Sequence, residues 1–374
     1  MSVQVRPLTG RRERERFIRL PWAIYADDRQ WVPPLRADVR ALMDRDRHPF
    51  HAHADVEFFL AWRDGAPVGR IAAVVNHAYN RFHEERTGFF GLFESVDDPA
   101  VASALLRAAE GWLGERGMAR CLGPMNLSTN EELYSPGVLI EGAEHPPVIM
   151  MGHAPPYYPA LLEGAGYAKA KDLFAYWIEG EEPPERMARG IQRMLRRKHV
   201  ELRRLELARF DEELATVKAI YNTAWERNWG FVPMTDAEID HMAKSLKPLV
   251  DERLCAFAEV DGKAVAFILM LPDYNQVLRH MNGRMLPFGW LKFLWYKRRI
   301  TRVRVLTLGV VPEYRGLGLD SFLIAHVYRT SREMGMPRGE CSWILEDNGP
   351  MNHALERLGH VYKRYRIYER PLGG

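Results

Sequence analysis

The feature that most constrains the fold of this chain is an internal repeat. The segments FFLAWRDGAPVGRIAAVV from Phe58 and CAFAEVDGKAVAFILML from Cys255 each contain an alternating apolar run, an Asp-Gly pair and a second apolar run. An Asp-Gly pair between two such runs is typical of a two-residue β-hairpin turn. The chain is therefore predicted to contain two copies of one unit, each with a hairpin near its start.

Two further elements follow in the same order in both halves. PAVASALLRAAEGWLGERGM and DSFLIAHVYRTSREMGM predict amphipathic helices that end near a glycine. ALLEGAGYAKAKDLFAYWI from Ala160 and ALERLGHVYKRYRIYER from Ala354 each predict a short helix, a glycine stop and an aromatic closing strand. The predicted fold class is α+β, and chance likeness of short apolar segments is the alternative to a repeat.

The two copies predict two domains, residues 1–180 and 181–374, joined near the segment EGEEPP. A chain of 374 residues is comfortable as two domains. The second copy carries an insertion at about 276–300 that lacks acidic side chains and combines large aromatic residues with Lys and Arg. The first copy is expected to be degenerate, because LFESVDDPAVASALL places acidic side chains where an anion would bind.

Composition excludes several classes of protein. No window approaches the ~20 apolar residues of a membrane-spanning helix, and the N-terminus has no signal-peptide pattern, so a cytoplasmic location is expected. A net charge of +3 without a recognisable DNA-binding motif gives no reason to expect a nucleic-acid partner. Cys121, Cys255 and Cys341 are widely spaced, which predicts buried free thiols and no metal site.

One turn in the second copy has the composition of an anion site. VVPEYRGLGLDSFL places Arg315, Gly316 and Gly318 between an apolar strand and a helix. Glycines let the backbone approach a ligand, and amides at a helix N-terminus attract phosphate. The segment lacks the Gly-Lys-Ser/Thr ending of a Walker loop. It predicts a phosphate site, and a glycine turn without a ligand is the alternative.

This turn resembles the pyrophosphate-binding segment of the GNAT superfamily of acyl-CoA N-acyltransferases, whose pattern is Arg/Gln-x-x-Gly-x-Gly/Ala. Arg315 and Gly318 match that pattern, whereas Asp320 departs from it and could cap the helix instead. EDNGPMNHALERLG resembles the family's Asn-containing segment, and Asn348 lies where its CoA-contacting Asn usually falls. Leu355 stands where the family commonly has a catalytic Tyr.

The resemblance implies two tandem GNAT-like domains, each a mixed and mostly antiparallel sheet flanked by helices. It implies transfer of an acyl group from acyl-CoA to an amine by the C-terminal copy, without a metal. The strand VLTLGVV would offer backbone amides to the thioester and pantetheine, with Gly309 suited to a bulge. The predicted CoA-binding residues are Leu308, Gly309, Val310, Arg315, Gly316, Leu317, Gly318, Leu319, Asp320 and Asn348.

The strand GECSWILED and the closing strand supply the catalytic candidates. Alternation places Glu340, Ser342 and Ile344 on one face of the first of these strands. If Glu340 is buried, its pKa would rise toward neutrality, which suits a general base that takes a proton. The alternative is that Glu340 forms an ion pair with a nearby Arg. Tyr362 is a candidate for the proton-donor role that Leu355 leaves vacant, with aromatic core packing as the alternative.

The insertion suggests a lipid. Its segment NGRMLPFGWLKFLWYKRRITRVRV is typical of a helix at a membrane interface or a lid over a lipid chain, and a core helix with a basic exit is the alternative. A lipid-like amine or a long acyl chain, with peripheral membrane contact, is therefore predicted. The predicted substrate-binding residues are Trp225, Asn228, Trp229, Phe231 and Trp290, the first four of which could instead form an aromatic core.

A second resemblance points the same way. AIYNTAWERNWGFVPMT, GRMLPFGWLK and CSWILEDN are similar to a group of bacterial GNAT-like proteins that N-acylate lipids, including the bacterial ceramide synthases. It implies a fatty acyl-CoA donor and a sphingoid amine acceptor. Two alternatives stay open: an aminoacyl or peptidyl transferase with a tRNA-linked donor, and a regulator that binds acyl-CoA without turnover.

Overall fold

The computed structural model describes residues 2–128, 130, 136–179, 184–226 and 228–373. They form two compact units: an N-terminal unit of residues 1–174, 277–295 and 363–374, and a C-terminal unit of residues 175–276 and 296–362. Each unit thus includes residues from both halves of the sequence. The predicted domain boundary at 180/181 lies outside the described residues and stays a prediction.

The secondary structure alternates strands and helices along the chain. The described strands are β1 (Gln4–Pro7), β2 (Ala54–Arg63), β3 (Ala66–Asn76), β4 (Thr87–Ser95), β5 (Arg120–Gly123), β6 (Val138–Glu141), β7 (Ala168–Glu179), β8 (Val200–Arg204), β9 (Cys255–Val260), β10 (Lys263–Pro272), β11 (Arg302–Val310), β12 (Arg338–Leu345) and β13 (Gly359–Pro371). The described α-helices are α1 (Gly10–Arg19), α2 (Pro21–Ile24), α3 (Arg36–Leu42), α4 (His77–His83), α5 (Pro99–Gly114), α6 (Tyr158–Gly164), α7 (Glu185–Arg197), α8 (Phe210–Ala224), α9 (Asp236–Leu246), α10 (Asn275–Leu278), α11 (Gly289–Lys297), α12 (Leu319–Glu333) and α13 (Gly349–Leu355).

Both predicted hairpins are present. Asp64 and Gly65 join β2 to β3 with φ of 52° and 77°, and Asp261 and Gly262 join β9 to β10 with φ of 50° and 78°. Two successive residues with positive φ give the turn that matches the twist of the two strands. The Asp-Gly pairs therefore set the register of both hairpins, as the repeat predicted.

Each unit contains a sheet of mixed direction. In the N-terminal unit the strands follow the order β1-β2-β3-β4-β5, and β13 pairs with β5 through its residues 368–371. In the C-terminal unit the order is β7-β12-β11-β10-β9-β8. The pairs β4–β5 and β11–β12 are parallel, whereas the hairpin pairs and their neighbours are antiparallel. The predicted α+β fold with a mixed, mostly antiparallel sheet in each copy is confirmed.

Helices cover these sheets. α5 packs on β2 and β3 of the N-terminal unit, and α12 packs on β9, β10 and β11 of the C-terminal unit. The apolar face of α5, with Leu105 and Leu106 fully buried, is the one that its sequence periodicity predicts.

The three cysteines are free and buried, as predicted. Among the described residues, no helix is both long enough and apolar enough to cross a membrane.

Candidate active site

The C-terminal unit has a fork between its two central strands. Parallel pairing joins residues 302–305 of β11 to residues 338–341 of β12. Beyond that point β11 continues to Val310 and β12 to Leu345. The strands therefore diverge after four paired positions. Residues 306–310 of β11 have no pairing with β12 and form an edge of the opening.

The bulge of β11 lies at Leu306, where its register with β10 shifts. The prediction that Gly309 forms the bulge is wrong, because Gly309 lies in regular register opposite Phe267. A Cβ atom at Gly309 would lie 2.4 Å from the ring of Trp225. Glycine is required here because the tryptophan ring packs directly on the strand.

The glycine loop opens at the end of β11. Gly316 and Gly318 have φ of 76° and 89°, in the left-handed region that favours glycine. Gly318 is the N-cap of α12, and an added Cβ at either glycine would meet nothing within 4 Å. Asp320 is the second residue of the helix, so the prediction that it caps the helix is wrong. The space beside both glycines is therefore open, as an anion site at a helix N-terminus requires.

Arg315 has a structural role that its motif did not reveal. Its Nη2 donates to the carbonyl oxygen of Ala224 at 2.6 Å, and its Nε donates to that of Val310 at 3.3 Å. The guanidinium thus links the end of α8, the end of β11 and the glycine loop. Of its neighbours in the predicted CoA site, Leu319 is buried, whereas Leu308 and Leu317 are half-buried. Phosphate contact by this set stays a prediction.

The Asn-containing segment starts α13. Asn348 is the N-cap, and its side chain accepts from the amide of Met351 at 3.3 Å. Asn352 lies one turn further along the same helical face and is buried. Its side chain donates to the carbonyl oxygen of Leu345 at 3.0 Å, a contact that the sequence did not predict. Leu355, at the position of the family's Tyr, is 1% exposed and belongs to the core. The proton-donor role is therefore absent from that position.

Glu340 lies at the base of the fork, fully buried and opposite Arg304 in the strand register. One carboxylate oxygen accepts from the hydroxyl of Ser342 and the other from the hydroxyl of Tyr362. Arg304 donates to the hydroxyl and the carbonyl of Ser342, at 3.0 Å and 3.2 Å. Glu340 is therefore buried, and the arginine next to it in the strand register bonds to Ser342, so its role as general base stays a prediction.

Tyr362 is the accessible end of this group. It is half-buried, and its ring centroid lies 5.4 Å from that of Trp177. Tyr365 and Tyr368, the other tyrosines of β13, are fully buried and pack in the core.

Burial raises the pKa of the Cys341 thiol to about 12, which makes it a poor nucleophile.

Two basic residues of the insertion region belong to the strand rather than to the surface. Arg304 is 3% exposed, and Arg302 forms an ion pair with the fully buried Asp273 at 2.9 Å. Alternation in the segment RVRV already places both arginines on one face of β11. The charge run alone did not indicate that Arg304 is buried.

The predicted acceptor aromatics cluster after α8. Trp225 stacks on Tyr221 with centroids 4.7 Å apart and meets Phe267 edge-on at 5.9 Å. The turn that follows is closed by the amide of Asn228, which donates to the carbonyl of Trp225 at 2.8 Å. Phe231 is buried, whereas Trp225, Asn228 and Trp229 are half-buried. Core packing accounts for these contacts, and acceptor binding stays a prediction.

Substrate binding by Trp290, the fifth residue of the predicted set, also stays a prediction. Trp290 lies on α11 in the N-terminal unit and is 47% exposed.

The N-terminal copy repeats the fork but fills it with its own chain. Parallel pairing of β4 with β5 covers only residues 87–89 and 120–122. Beyond it, the amide of Met125 donates to the carbonyl of Phe90 at 2.6 Å, and the amide of Leu92 donates to Asn126 Oδ1 at 2.9 Å. The N-terminus of α5 is capped by the carboxylate of Asp98, which accepts from Ala100 at 2.8 Å.

Residues 214–360, which contain the fork, the glycine loop and Glu340, match the acetyltransferase (GNAT) family. The chain is also 40% identical to a protein named bacterial ceramide synthase from Caulobacter vibrioides (strain NA1000 / CB15N), covering 99% of this chain and 98% of that protein. The chain belongs to the GNAT family. A second relative is Protein YghO of Escherichia coli (strain K12), which is 35% identical over 98% of this chain and 95% of its own length.

Solved structures show the same fold over the whole chain. A tandem GNAT protein from the clavulanic acid biosynthesis pathway has a TM-score of 0.59 at 13% identity, covering 100% of this chain and 99% of its own. A GCN5-related N-acetyltransferase from Sphaerobacter thermophilus has a TM-score of 0.54 at 15% identity, covering 100% and 96%. The predicted tandem GNAT architecture and N-acyltransferase activity are thus confirmed, and GNAT enzymes use acyl-CoA as co-substrate.

Proposed function

We propose that this GNAT enzyme transfers a long-chain acyl group from acyl-CoA to the amine of a lipid, with a sphingoid base as the acceptor. The observation that carries the proposal is the 40% identity, over 99% of the chain, to the protein named bacterial ceramide synthase. The aromatic and basic insertion supports a lipid-like substrate.

The donor would bind along the fork of the C-terminal copy. Residues 306–310 of β11 lie beyond the last position paired with β12, so their edge can accept the amide groups of pantetheine as a further strand would. The loop around Gly316 and Gly318 would hold the pyrophosphate through backbone amides, helped by the dipole of α12.

The chemistry requires one proton to leave the amine and one to reach the sulfur. The amine nitrogen attacks the thioester carbonyl, the C–N bond forms and the C–S bond breaks. Tyr362 would give its hydroxyl proton to the departing sulfur, and the proton lost by the nitrogen would return to the Tyr362–Glu340 pair. Glu340 is fully buried, so it would act as a positioning residue and proton acceptor through Tyr362.

The insertion would place the enzyme at a membrane surface. Of the nine large apolar side chains that are well exposed in the described part of the chain, seven lie between Met285 and Trp295. Lys292, Lys297 and the Arg298–Arg299 pair lie within or next to this segment. Exposed aromatic and Leu side chains with cationic neighbours fit the interface of an anionic bilayer.

The donor is tested by calorimetric titration of the full chain with CoA, acetyl-CoA and palmitoyl-CoA. The test variant is Gly318→Ala, and the matched control is Gly335→Ala, which has the same backbone strain near the other end of α12. We expect palmitoyl-CoA to bind more tightly than acetyl-CoA, and only Gly318→Ala to weaken both. Arg315→Glu is a poor test because it also removes the bonds to Ala224 and Val310.

The acceptor is tested by incubating enzyme, palmitoyl-CoA and sphinganine and measuring N-acyl product by mass spectrometry. Product formation supports the proposal. Tight palmitoyl-CoA binding without product from any amine would favour the regulator. Absence of CoA binding together with salt-sensitive tRNA binding would favour a tRNA-linked donor.

A further inference from the structure

Helix α7 of the C-terminal unit carries a row of arginines to which the proposed acyl transfer assigns no role. Its sequence, ERMARGIQRMLRR, contains a single acidic residue, Glu185. Because successive residues are rotated by about 100° around a helix, all the arginines of α7 fall within about 100° of its circumference. This arginine stripe consists of Arg186, Arg189, Arg193, Arg196 and Arg197.

The stripe faces solvent, whereas the apolar side of α7 faces the protein. All its arginines are exposed, while Met194 is buried and Met187 and Ile191 are half-buried. Arg189 pairs with Glu185 at 3.5 Å, and both side chains are well exposed. No other acidic residue in the described part of the chain forms an ion pair with the stripe. Its guanidinium groups are therefore available to an external partner.

The spacing of the stripe is unfavourable for the helix itself. Arg193 lies four residues after Arg189 and four before Arg197, and like charges at this spacing repel each other on a helix. Within the described ranges, the ion pair to Glu185 is the one intramolecular pair that offsets this repulsion. An anionic partner would remove the repulsion.

The C-terminal end of the stripe lies at the same end of the sheet as the glycine loop. One row of paired residues crosses β11, β10, β9 and β8 at Val310, Ala266, Ala258 and Leu202. β8 runs antiparallel to β11 and begins before this row, at Val200, so α7 ends on the side where β11 leads into the glycine loop. β8 and β11 are separated by two strands, roughly 14 Å from axis to axis. α7 also packs on α12, the helix that starts from this loop.

The length of the stripe fits an extended anionic surface. Arg186 and Arg197 are separated by about 16 Å along the helix axis, at about 1.5 Å per residue. A single phosphate group is small enough to be held by one or two guanidinium groups. An acidic helix instead presents a row of carboxylates, which the planar guanidinium group binds through two parallel hydrogen bonds.

Two other anionic partners fit α7 less well. A helix that lies in a bilayer interface exposes large apolar side chains along one face. Of the large apolar side chains of α7, Leu195 alone is well exposed, and it lies on the side away from the stripe. Sites for single-stranded nucleic acid stack bases on aromatic rings, and the sequence of α7 contains none. An acidic protein surface is therefore the partner that the stripe favours.

We propose that the arginine stripe docks an acidic carrier protein that bears the acyl chain as a thioester on a phosphopantetheine arm. An acidic helix of the carrier would lie along α7, and the arm would pass the glycine loop into the fork proposed for acyl-CoA. The amine would attack the thioester carbonyl, the C–N bond would form and the C–S bond would break. The thiol and its proton would stay on the carrier. This inference rests on the proposed acyl transfer, but docking itself requires no turnover.

The test is calorimetric titration of the full chain with purified bacterial acyl carrier protein in its phosphopantetheine-bearing form without an acyl chain. We expect saturable binding that weakens as salt is raised, because exposed charges are screened. Arg193→Gln with Arg197→Gln should weaken binding about tenfold, since each exposed pair contributes modestly. Glutamine keeps the helix propensity of arginine. The matched control is Lys244→Gln with Lys247→Gln, which removes two exposed charges at the end of α9 in the same unit and should leave binding unchanged.

Initial rates of N-acyl product formation from sphinganine separate docking from chemistry. The double arginine variant should lower kcat/KM about tenfold with palmitoyl carrier protein as donor, and less than about twofold with palmitoyl-CoA. Carrier binding through the stripe without product from either donor would support the docking surface and contradict the proposed lipid acylation. Product from palmitoyl-CoA without any carrier binding would overturn the inference and leave the proposed function intact.

The remaining outcomes identify a different partner. Equal carrier binding by the two double variants would show that the stripe is not the docking surface. Loss of co-sedimentation with phosphatidylglycerol vesicles in the arginine variant, without carrier binding by the wild type, would assign the stripe to a membrane. Loss of tRNA binding under the same condition would assign it to nucleic acid. Each of these results would overturn the inference.

Discussion

The hydroxyl of Tyr362 donates a hydrogen bond to the carboxylate of Glu340, joining β13 to the fully buried end of the parallel strand pair. Ser342 and Arg304 complete the set around the same carboxylate. A half-buried phenol is thus held by a buried acid at the point where β11 and β12 diverge. In the proposed mechanism this phenol would supply the proton that Leu355, at the position of the family's usual Tyr, cannot.

Tyr362→Phe removes the proposed proton donor while keeping the ring that packs near Trp177. We expect kcat to fall by about 10²–10⁴-fold with little change in the KM for acyl-CoA, since only proton transfer is lost. Initial rates of CoA-thiol release measure this. Tyr365→Phe, on the same strand but with its hydroxyl bonded to the Gly152 carbonyl, is the control. An unchanged kcat in Tyr362→Phe would exclude the role.

Gly309→Ala should destabilise the C-terminal copy by about 1–3 kcal/mol, because its Cβ would lie 2.4 Å from the Trp225 ring. Trp225→Leu in the same chain should recover part of that loss. Urea unfolding of the wild type, both single variants and the double variant measures the coupling between the two residues. If the losses of unfolding free energy in the two single variants add up to that of the double variant, the Trp225 ring is not what destabilises Gly309→Ala.

Asp273→Asn should cost about 3–5 kcal/mol of unfolding free energy, because it leaves the partly buried Arg302 without its counter-charge. The matched comparison is Glu179→Gln, whose ion pair with Arg338 is more than half exposed. That substitution should cost no more than about 1 kcal/mol. Urea titrations measure the unfolding free energy of both variants. Similar losses in the two would contradict the claim that burial of the ion pair makes Asp273→Asn more costly.

Asp172 should make the N-terminal unit sensitive to acid. Burial opposes ionisation of Asp172, but hydrogen bonds from Arg366 and Lys169 outweigh it, so its pKa in the folded protein lies below the ordinary value of 3.8. A lowered pKa contributes stability that is complete above the unfolded-state pKa and is lost as pH falls through the folded-state pKa. The stability difference between wild type and Asp172→Asn should therefore shrink below about pH 4. Urea midpoints measured across that range test this, and a constant difference would refute it.

The exposed segment around α11 should bind anionic vesicles. We expect co-sedimentation with phosphatidylglycerol vesicles but weak binding to phosphatidylcholine, because the apolar side chains are accompanied by cationic ones. Leu286→Ser with Trp295→Ser should abolish binding. Phe82→Ser removes a similarly exposed apolar side chain on α4 and is the control. Equal binding of the double variant and wild type would rule out the segment as the membrane contact.

Local pattern in the sequence determined much of this protein. Two Asp-Gly turns with positive φ set both hairpins, and helical periodicity set the buried faces of α5 and α12. Glycines at 316 and 318 fixed the shape of the loop before α12, and strand alternation placed Glu340 and Ser342 on one face. Each of these features depends on residues close together in the chain, where propensity and period act directly.

Only the tertiary structure decided which distant residues meet. Tyr362 reaches Glu340, Arg304 reaches Ser342, Arg315 holds the carbonyl of Ala224, and Trp225 packs on Gly309. Residues 363–374 complete the N-terminal unit although they end the second copy. No local period encodes strand order or the position of a bulge. These features follow from packing and hydrogen bonding between segments far apart in the sequence, which side-chain pattern alone does not specify.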